Sequence, residues 1–422
     1  MSEDAWRILG GRPLRGTVRP SGSKNGSLPL LAATLVLDGE TVLHNVPRIA
    51  DVQTMMALLR AVGLTVEEQG DGSVRVVNHG IAGHRAPDDL VAKMRASHYL
   101  LGPTLLRLGR AEMAMPGGCD LGARPVTHIL SVLEALGAQA TVGSKGIELT
   151  SKALRGAVVT LDSQHRNPGA TFTGLMAASL AQGETVIENA SYEPDVTCFC
   201  EFLKAAGARI EGLGGERLTV RGVDRLLGTT HRVNSDRLEA GTFICAAAAT
   251  RGEVLVENIT WEELGATLDK LAEAGVELAS RAGGLVARCP QRPRGVDIVT
   301  DPFPLFSTDL QPPVAAVLAT AKGDSTITET VFDRRLQYVA ELKKMGAEIE
   351  LRDSRRAVIH GVERLRAASV AGGNIRDGAA LVVAALCAEG EGLVSGRQYV
   401  ARGYEDFERK LRSLGAEITV AG

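Results

Sequence analysis

Apolar and polar positions along the chain follow a cycle that recurs six times. Short Gly-polar starts mark it: GETV at Gly39, GRAE at Gly109, GETV at Gly183, GEVL at Gly252, GDST at Gly323 and GEGL at Gly390, 67 to 74 residues apart. Each start leads into an apolar helical pattern that ends at a glycine: Gly63, Gly137, Gly207, Gly275, Gly346 and Gly415. A glycine just past the last helical position reads as a C-cap, because it accepts the left-handed conformation without a Cβ penalty. An alternating strand follows most of these glycines, as in ERLTVRGV or RRAVIHGV. Between copies lies a second helix, such as LPLLAATLVLDG, GATFTGLMAASLAQG, AGTFICAAAATRG or GAALVVAALCAEG. These stretches are apolar on every side, so each is expected inside its domain with strands around it. The unit reads as strand, helix, strand, helix, strands. Two domains of three units fit the length better than a solenoid, which would need polar terminal caps.

Composition narrows the field. A chain of 422 residues exceeds one ordinary core. With 45% apolar and 23% charged residues it suits a soluble globular protein. A net charge of -3 gives no bulk attraction to nucleic acid or membrane surfaces, and 4% aromatic residues is too few for a base-stacking platform. The opening MSEDAWRILGGRPLRG lacks the apolar core of a signal peptide, and no apolar run is long enough to span a bilayer. A cytoplasmic, reducing location is therefore expected. The cysteines, at 119, 198, 200, 245, 289 and 387, match neither a disulfide framework nor a tetrahedral metal site. The eight histidines, His44, His79, His84, His98, His128, His165, His231 and His360, form no carboxylate–histidine motif, so no metal is expected.

The segments entering the buried helices carry the candidate chemistry: PSGSKNGS, KMRASH, QHRNPGAT, NSDRLEAG, LFSTDLQPP and GGNIRDGA. If three units pack around a near-threefold axis, three helix N-termini converge in each domain, with their free N–H groups aimed at one place. An acid there, such as Asp236 or Asp377, can be a simple N-cap partner. Lys24, Arg95 and Arg376 are cations at an end that disfavours them, which makes sense when an anion lies in front. A multiply charged phosphate or carboxylate ligand is expected. The second unit is longer than the rest, with 28 residues from Gly109 to Gly137 against 23 to 25 elsewhere. The surplus falls at PGGCDLGARP. Cys119 sits there among glycines with Arg124 nearby, and positive charge favours the reactive thiolate. Cys198, Cys200, Cys245 and Cys387 read as buried filler on helices.

The motifs SGSKN, MRAS, PGGC-x-x-GARP, SDRLEAGTF, STDLQ, TETVF and ARGYE together resemble the enolpyruvyl transferase family, across essentially the whole chain. The likeness is greatest to the branch whose acceptor is UDP-N-acetylglucosamine. The resemblance implies an α/β fold of two inside-out α/β barrel domains, each of three βαβαββ repeats with buried helices and outer sheets. Residues 1–23 with 234–422 would form the catalytic domain, residues 24–233 the second domain with the Cys119 loop, and the active site would lie in the interdomain cleft. It implies transfer of the enolpyruvyl group of phosphoenolpyruvate to the sugar 3-hydroxyl by addition and elimination, with release of phosphate, as the first committed step of peptidoglycan synthesis. The partners implied are these two small molecules only, with no nucleic acid, no membrane and a monomeric state. No cofactor is implied, since phosphoenolpyruvate is a co-substrate, although it can form an adduct with Cys119, the target of fosfomycin.

By the same resemblance Lys24, Arg124, Arg376 and Arg402 cage phosphoenolpyruvate, Asn25 contacts the sugar and Arg95 the nucleotide phosphates. Asp309 binds the sugar hydroxyl and takes its proton, and Cys119 is the proton donor. Arg335 supports the charged site and the backbone at Val331 the sugar. Pro125, Val126, Thr127, His128 and Arg166 belong to the nucleotide region. This chain departs from the family pattern at Thr127 and His128, in the Gln164–Pro168 stretch, at Ser307, at Arg334 and at Asn374 with Asp377. The departures cluster on the acceptor side and around the charged cage, while the phosphoenolpyruvate cations themselves are kept. A different acceptor, such as uridine monophosphate in nucleoside-antibiotic pathways, therefore stays open beside UDP-N-acetylglucosamine.

Overall fold

The structure, a computed structural model, describes residues 4–117, 126–164 and 166–421. They divide into two compact units, residues 4–21 with 235–421 and residues 22–117 with 126–234.

The repeat is visible in the hydrogen bonding. In all six copies the residue after the C-cap glycine donates its N–H back to a carbonyl five residues earlier: Leu64 to Leu59, Ala138 to Leu133, Ala208 to Leu203, Val276 to Leu271, Ala347 to Leu342 and Ala416 to Leu411, at 2.9–3.1 Å. This closure requires a left-handed residue in between, and the six glycines have φ between 86° and 106°. Most copies then share one sheet plan. The strand from the Gly-polar start pairs in parallel with a short edge strand preceding the buried helix, and antiparallel with the last strand of its own copy. Glu184–Glu188 lies this way between Val158–Thr160 and Arg217–Arg221. Glu253–Glu257 lies likewise between Arg15–Val18 and Gly284–Arg288. In the second copy the edge strand shrinks to a single bridge, Arg85 with Glu112. The sixth copy is completed by the start of the chain: Ala5–Leu9 pairs antiparallel with both Glu391–Ser395 and Glu417–Val420.

The expected barrels are not present. Among the described residues the strands form six separate sheets of three to five strands, each an open series with free edges. Barrel closure needs long, tilted strands that carry a continuous stagger from one edge to the next. Several edge strands here are only two or three residues long, as at Ile298–Val299, Ser369–Ala371 and Val158–Thr160. The sheets instead cover helices, and the α/β architecture with repeated βαβαββ elements is what remains of that expectation.

The apolar helices lie inside. Every residue of Arg237–Ala249 is buried, and so are all of Gln311–Leu318. These two and Ile375–Cys387 pack against one another. Close contact sets side-chain size: a Cβ at Gly241 would stand 2.6 Å from a methyl of Leu310. Four buried helices are capped by a side chain, Ser23, Asn167, Asp236 or Asn374. Asp236 is thus a cap, whereas at the last helix Asn374, not Asp377, does this work. No helix among the described residues is long and apolar enough to cross a membrane.

Candidate active site

Mutual packing of three buried helices brings their entry segments together in the unit of residues 4–21 and 235–421. Asp309 precedes Gln311–Leu318, Arg376 lies in the first turn of Ile375–Cys387, and Arg335 opens the short 3-10 turn Arg335–Gln337. Arg335 donates from Nη2 to Asp309 Oδ1 at 2.5 Å. Arg376 donates to Asp309 Oδ2 from Nε at 3.2 Å and reaches it with Nη2 at 3.1 Å. Arg335 is 1% exposed and Arg376 5%, while the Asp309 side chain is 27% exposed. The carboxylate is therefore the accessible member, and two fixed guanidiniums hold it from behind.

Each arginine is itself anchored. Arg335 stacks 4.8 Å over the Phe332 ring and donates to Thr308 Oγ1, whose hydroxyl in turn donates to the buried Glu329. Glu329 also accepts the N–H groups of Val331 and Phe332 at 2.9 and 3.0 Å. Arg376 stacks over Tyr404 and donates to its hydroxyl at 3.1 Å, and that hydroxyl bonds Thr242 on the Arg237–Ala249 helix at 2.8 Å. Burial pushes the Tyr404 phenol up, against the pull of Arg376, so it stays neutral. Burial works against the Arg376 charge, but Tyr404, Asp309 and Asp236 outweigh it and hold the group above its ordinary range. Arg402 is half-buried in the turn two residues before Tyr404, with its N–H on the Tyr399 carbonyl. The cluster offers an accessible proton acceptor with rigid cations beside it, a combination suited to deprotonating a hydroxyl next to an anionic group.

In the other unit Lys24 is the first residue of Lys24–Ala33, and its Nζ lies 3.2 Å from Asp51 Oδ2. The counter-charge that sequence reasoning assigned wholly to a ligand is thus partly supplied by the protein. Asn25 follows, partly buried. Arg95, partly buried, opens the 3-10 turn Arg95–Leu100 and accepts the His98 Nδ1 hydrogen on its carbonyl at 2.7 Å. Val126 is buried, while Thr127 is exposed and His128 partly so at the start of Thr127–Ala135. Arg166 donates to the Tyr192 hydroxyl at 2.9 Å and pairs with Glu216 at 2.6 Å. Cys119, Arg124 and Pro125 lie outside the described residues.

Burial raises the remaining thiols: Cys198, Cys200 and Cys387 to about 12, Cys289 to about 11, and Cys245 further. Cys198 Sγ lies 3.3 Å from His231 Nε2, but burial lowers that imidazole too, so the contact is neutral rather than a thiolate–imidazolium pair. Among the described residues no group of three or more His, Cys, Asp or Glu could hold a metal. Sequence reasoning missed Asp51, Thr242 and the role of Tyr404. Nothing in the local sequence marks Asp51, and only the SDRLEAGTF and ARGYE motifs touch Thr242 and Tyr404 without giving either a role.

Comparison with known proteins adds independent findings. The EPSP synthase (3-phosphoshikimate 1-carboxyvinyltransferase) family model matches residues 8–411. A UDP-N-acetylglucosamine 1-carboxyvinyltransferase of Cellvibrio japonicus is 44% identical over 417 residues, covering 98% of this chain and 99% of that protein. One of Paracoccus denitrificans is 44% identical over 415 residues, covering 97% of each. Among solved structures the enolpyruvyl transferase NikO from Streptomyces tendae is similar, with a TM-score of 0.89 at 25% identity over 98% of each chain. An EPSP synthase from Acinetobacter baumannii shares the fold, with a TM-score of 0.75 at 20% identity over 98% of this chain and 99% of that one.

Proposed function

This chain belongs to the enolpyruvyl transferase family, and from that premise we propose that it moves the enolpyruvyl group of phosphoenolpyruvate to the 3-hydroxyl of UDP-N-acetylglucosamine. The products are phosphate and the enolpyruvyl ether, and the reaction opens peptidoglycan synthesis in the cytoplasm. The observation that carries this reading is 44% identity, along 98% of the chain, to a protein named for this reaction. The Asp309–Arg335–Arg376 cluster supports it chemically.

In this reading Asp309 accepts the proton of the sugar hydroxyl as its oxygen bonds to C2 of phosphoenolpyruvate. Cys119 delivers a proton to the methylene carbon, and a tetrahedral phosphate ketal results. Loss of a proton from the new methyl group and departure of phosphate regenerate the double bond. Lys24, Arg124, Arg376 and Arg402 neutralise the phosphate and carboxylate, as fixed cations do where charge develops. Asn25 and the Val331 backbone hold the sugar. Arg95, with Pro125, Val126, Thr127, His128 and Arg166, holds the nucleotide. The assignment draws on residues 1–23 with 234–422 for catalysis and on residues 24–233 for the Cys119 segment.

A second acceptor has one observation in its favour: Thr127 and His128 depart from the family pattern in the nucleotide region. Incubating the protein with phosphoenolpyruvate and either UDP-N-acetylglucosamine or uridine monophosphate, and measuring released phosphate, tests the reading. Release with the sugar nucleotide is expected. Release with uridine monophosphate alone would replace the acceptor, and release with neither would end the reading.

A further inference from the structure

Beside the Asp309 cluster sits a buried carboxylate to which the reaction scheme gives no part. Glu329 is 1% exposed and directly follows the Asp324–Thr328 strand. Its Oε1 accepts the Val331 and Phe332 N–H groups at 2.9 and 3.0 Å. The Thr308 hydroxyl donates toward both carboxylate oxygens, at 2.9 and 3.0 Å. Burying a carboxylate is costly unless its hydrogen bonds are made. Pairing N–H groups two and three residues on is work that a shorter Asp or Asn does in turns. The longer side chain adds the reach to Thr308, 21 residues earlier in the chain.

That reach leads to the candidate base. Arg335 donates from Nε to Thr308 Oγ1 at 3.2 Å, so the single hydroxyl hydrogen of Thr308 points the other way, to a carboxylate that only accepts. Arg335 in turn donates from Nη2 to Asp309 Oδ1 at 2.5 Å. A second route runs through the backbone. The Phe332 N–H is fixed on Glu329, and the Phe332 ring lies 4.8 Å from the Arg335 guanidinium it supports. Val331, whose backbone the reaction scheme gives to the sugar, stands between the two. The other oxygen of Asp309 belongs to Arg376, which Tyr404 and Thr242 hold by a separate path.

We propose that Glu329 is a positioning residue for the transfer reaction. Through Thr308 it sets the arginine that braces Asp309, and through two N–H groups it sets the Val331 backbone, so that one side chain places acceptor and base in register. The inference rests on the reading of Asp309 as proton acceptor and of Val331 as a sugar contact. The backbone at this point has its own supports: the Glu329 N–H on the Arg355 carbonyl at 2.7 Å, the Thr330 N–H on Thr300 Oγ1 at 2.9 Å and Arg355 Nη1 on the Thr330 carbonyl at 2.7 Å. Removing the side chain therefore loosens the turn without releasing its strand.

The test measures kcat and the separate KM values for UDP-N-acetylglucosamine and phosphoenolpyruvate by phosphate release, with thermal melts to check folding. Thr308→Val cuts only the path to Arg335. It should lower kcat about tenfold or more, as a displaced reacting group does, with both KM values within about twofold of wild type. Thr308→Ser restores the hydroxyl and should return kcat to within about threefold. Glu329→Ala cuts both paths and should add a rise of about fivefold or more in the sugar-nucleotide KM, leaving that for phosphoenolpyruvate within about twofold. Where Glu329→Ala does not fold, Glu329→Asp carries the test, since its carboxylate can keep the two N–H groups but withdraws from Thr308: kcat should fall as in Thr308→Val, with both KM values kept. Thr308→Val at the wild-type rate, Thr308→Ser as slow as Thr308→Val, or a Glu329 variant that shifts both KM values alike would each overturn the proposal. A wild type that releases phosphate while these variants match it ends this inference alone. A wild type that releases none with the sugar nucleotide ends both readings.

Discussion

Replacing Asp309 by asparagine removes one charge and almost no volume, so its consequences come from electrostatics. The carboxylate now accepts from Arg335 on one oxygen and from Arg376 on the other. An amide has one acceptor oxygen, and its NH2 would face the second guanidinium donor to donor. Two arginines, 1% and 5% exposed, would then share a buried space without their common counter-ion. Removing one member of a fully buried pair costs about 3–5 kcal/mol. Asp309 is 27% exposed, and Thr308 and Tyr404 still hold the arginines, so solvent screening lowers the expected cost to about 1–3 kcal/mol. At about 2–4 °C per kcal/mol for a unit of this size, the melting temperature should fall by roughly 2–12 °C. The rate should fall much further, because loss of a positioned base removes a factor of about 10²–10⁴. Phosphate release at saturating substrates and a thermal melt of the same sample measure both. A rate within tenfold of wild type would refute Asp309 as proton acceptor. An unchanged melting temperature would refute the electrostatic account of the cluster.

Two further outcomes concern the frame. Glu239 is buried, accepts the Ser21 N–H at 3.0 Å and meets Lys410 Nζ at 2.5 Å, and burial raises its carboxyl from 4.5 to about 7 against the pull of Lys410. A raised folded-state value stabilises the protonated fold, so this contribution, up to about 3 kcal/mol, is complete below pH 4.5 and is lost as pH rises through 7. Urea midpoints of Glu239→Gln should lack that fall, and pH dependences parallel to wild type would contradict the assignment. Gly207→Ala meets nothing within 4 Å but sits at φ +106°, so it should cost about 1–2 kcal/mol of conformational strain. Gly22→Ala would put its Cβ 1.7 Å from the Asn45 carbonyl oxygen, which forces the backbone to move, and should cost well over 3 kcal/mol or prevent folding. Equal midpoints for these two variants would refute the distinction.

What the chain itself determined is local. Six glycines that must turn left-handed, apolar helices without a wet face such as Arg237–Ala249 and Gln311–Leu318, and the residues that enter them are readable because each requirement is met within one or two turns of backbone. The family motifs add a second local signal, since SGSKN, STDLQ and ARGYE each lie in one short segment. Only tertiary structure decided which distant groups meet. Ala5–Leu9 completes the repeat whose other strands lie near residues 391–420, and the sheets stay open because three to five strands are too few to close on themselves. Asp309 meets Arg376 across 67 residues and Glu239 meets Lys410 across 171. Lys24 finds Asp51 in a neighbouring helix. A charge in a sequence shows its sign but not its partner, because the partner is chosen by how helices and sheets pack.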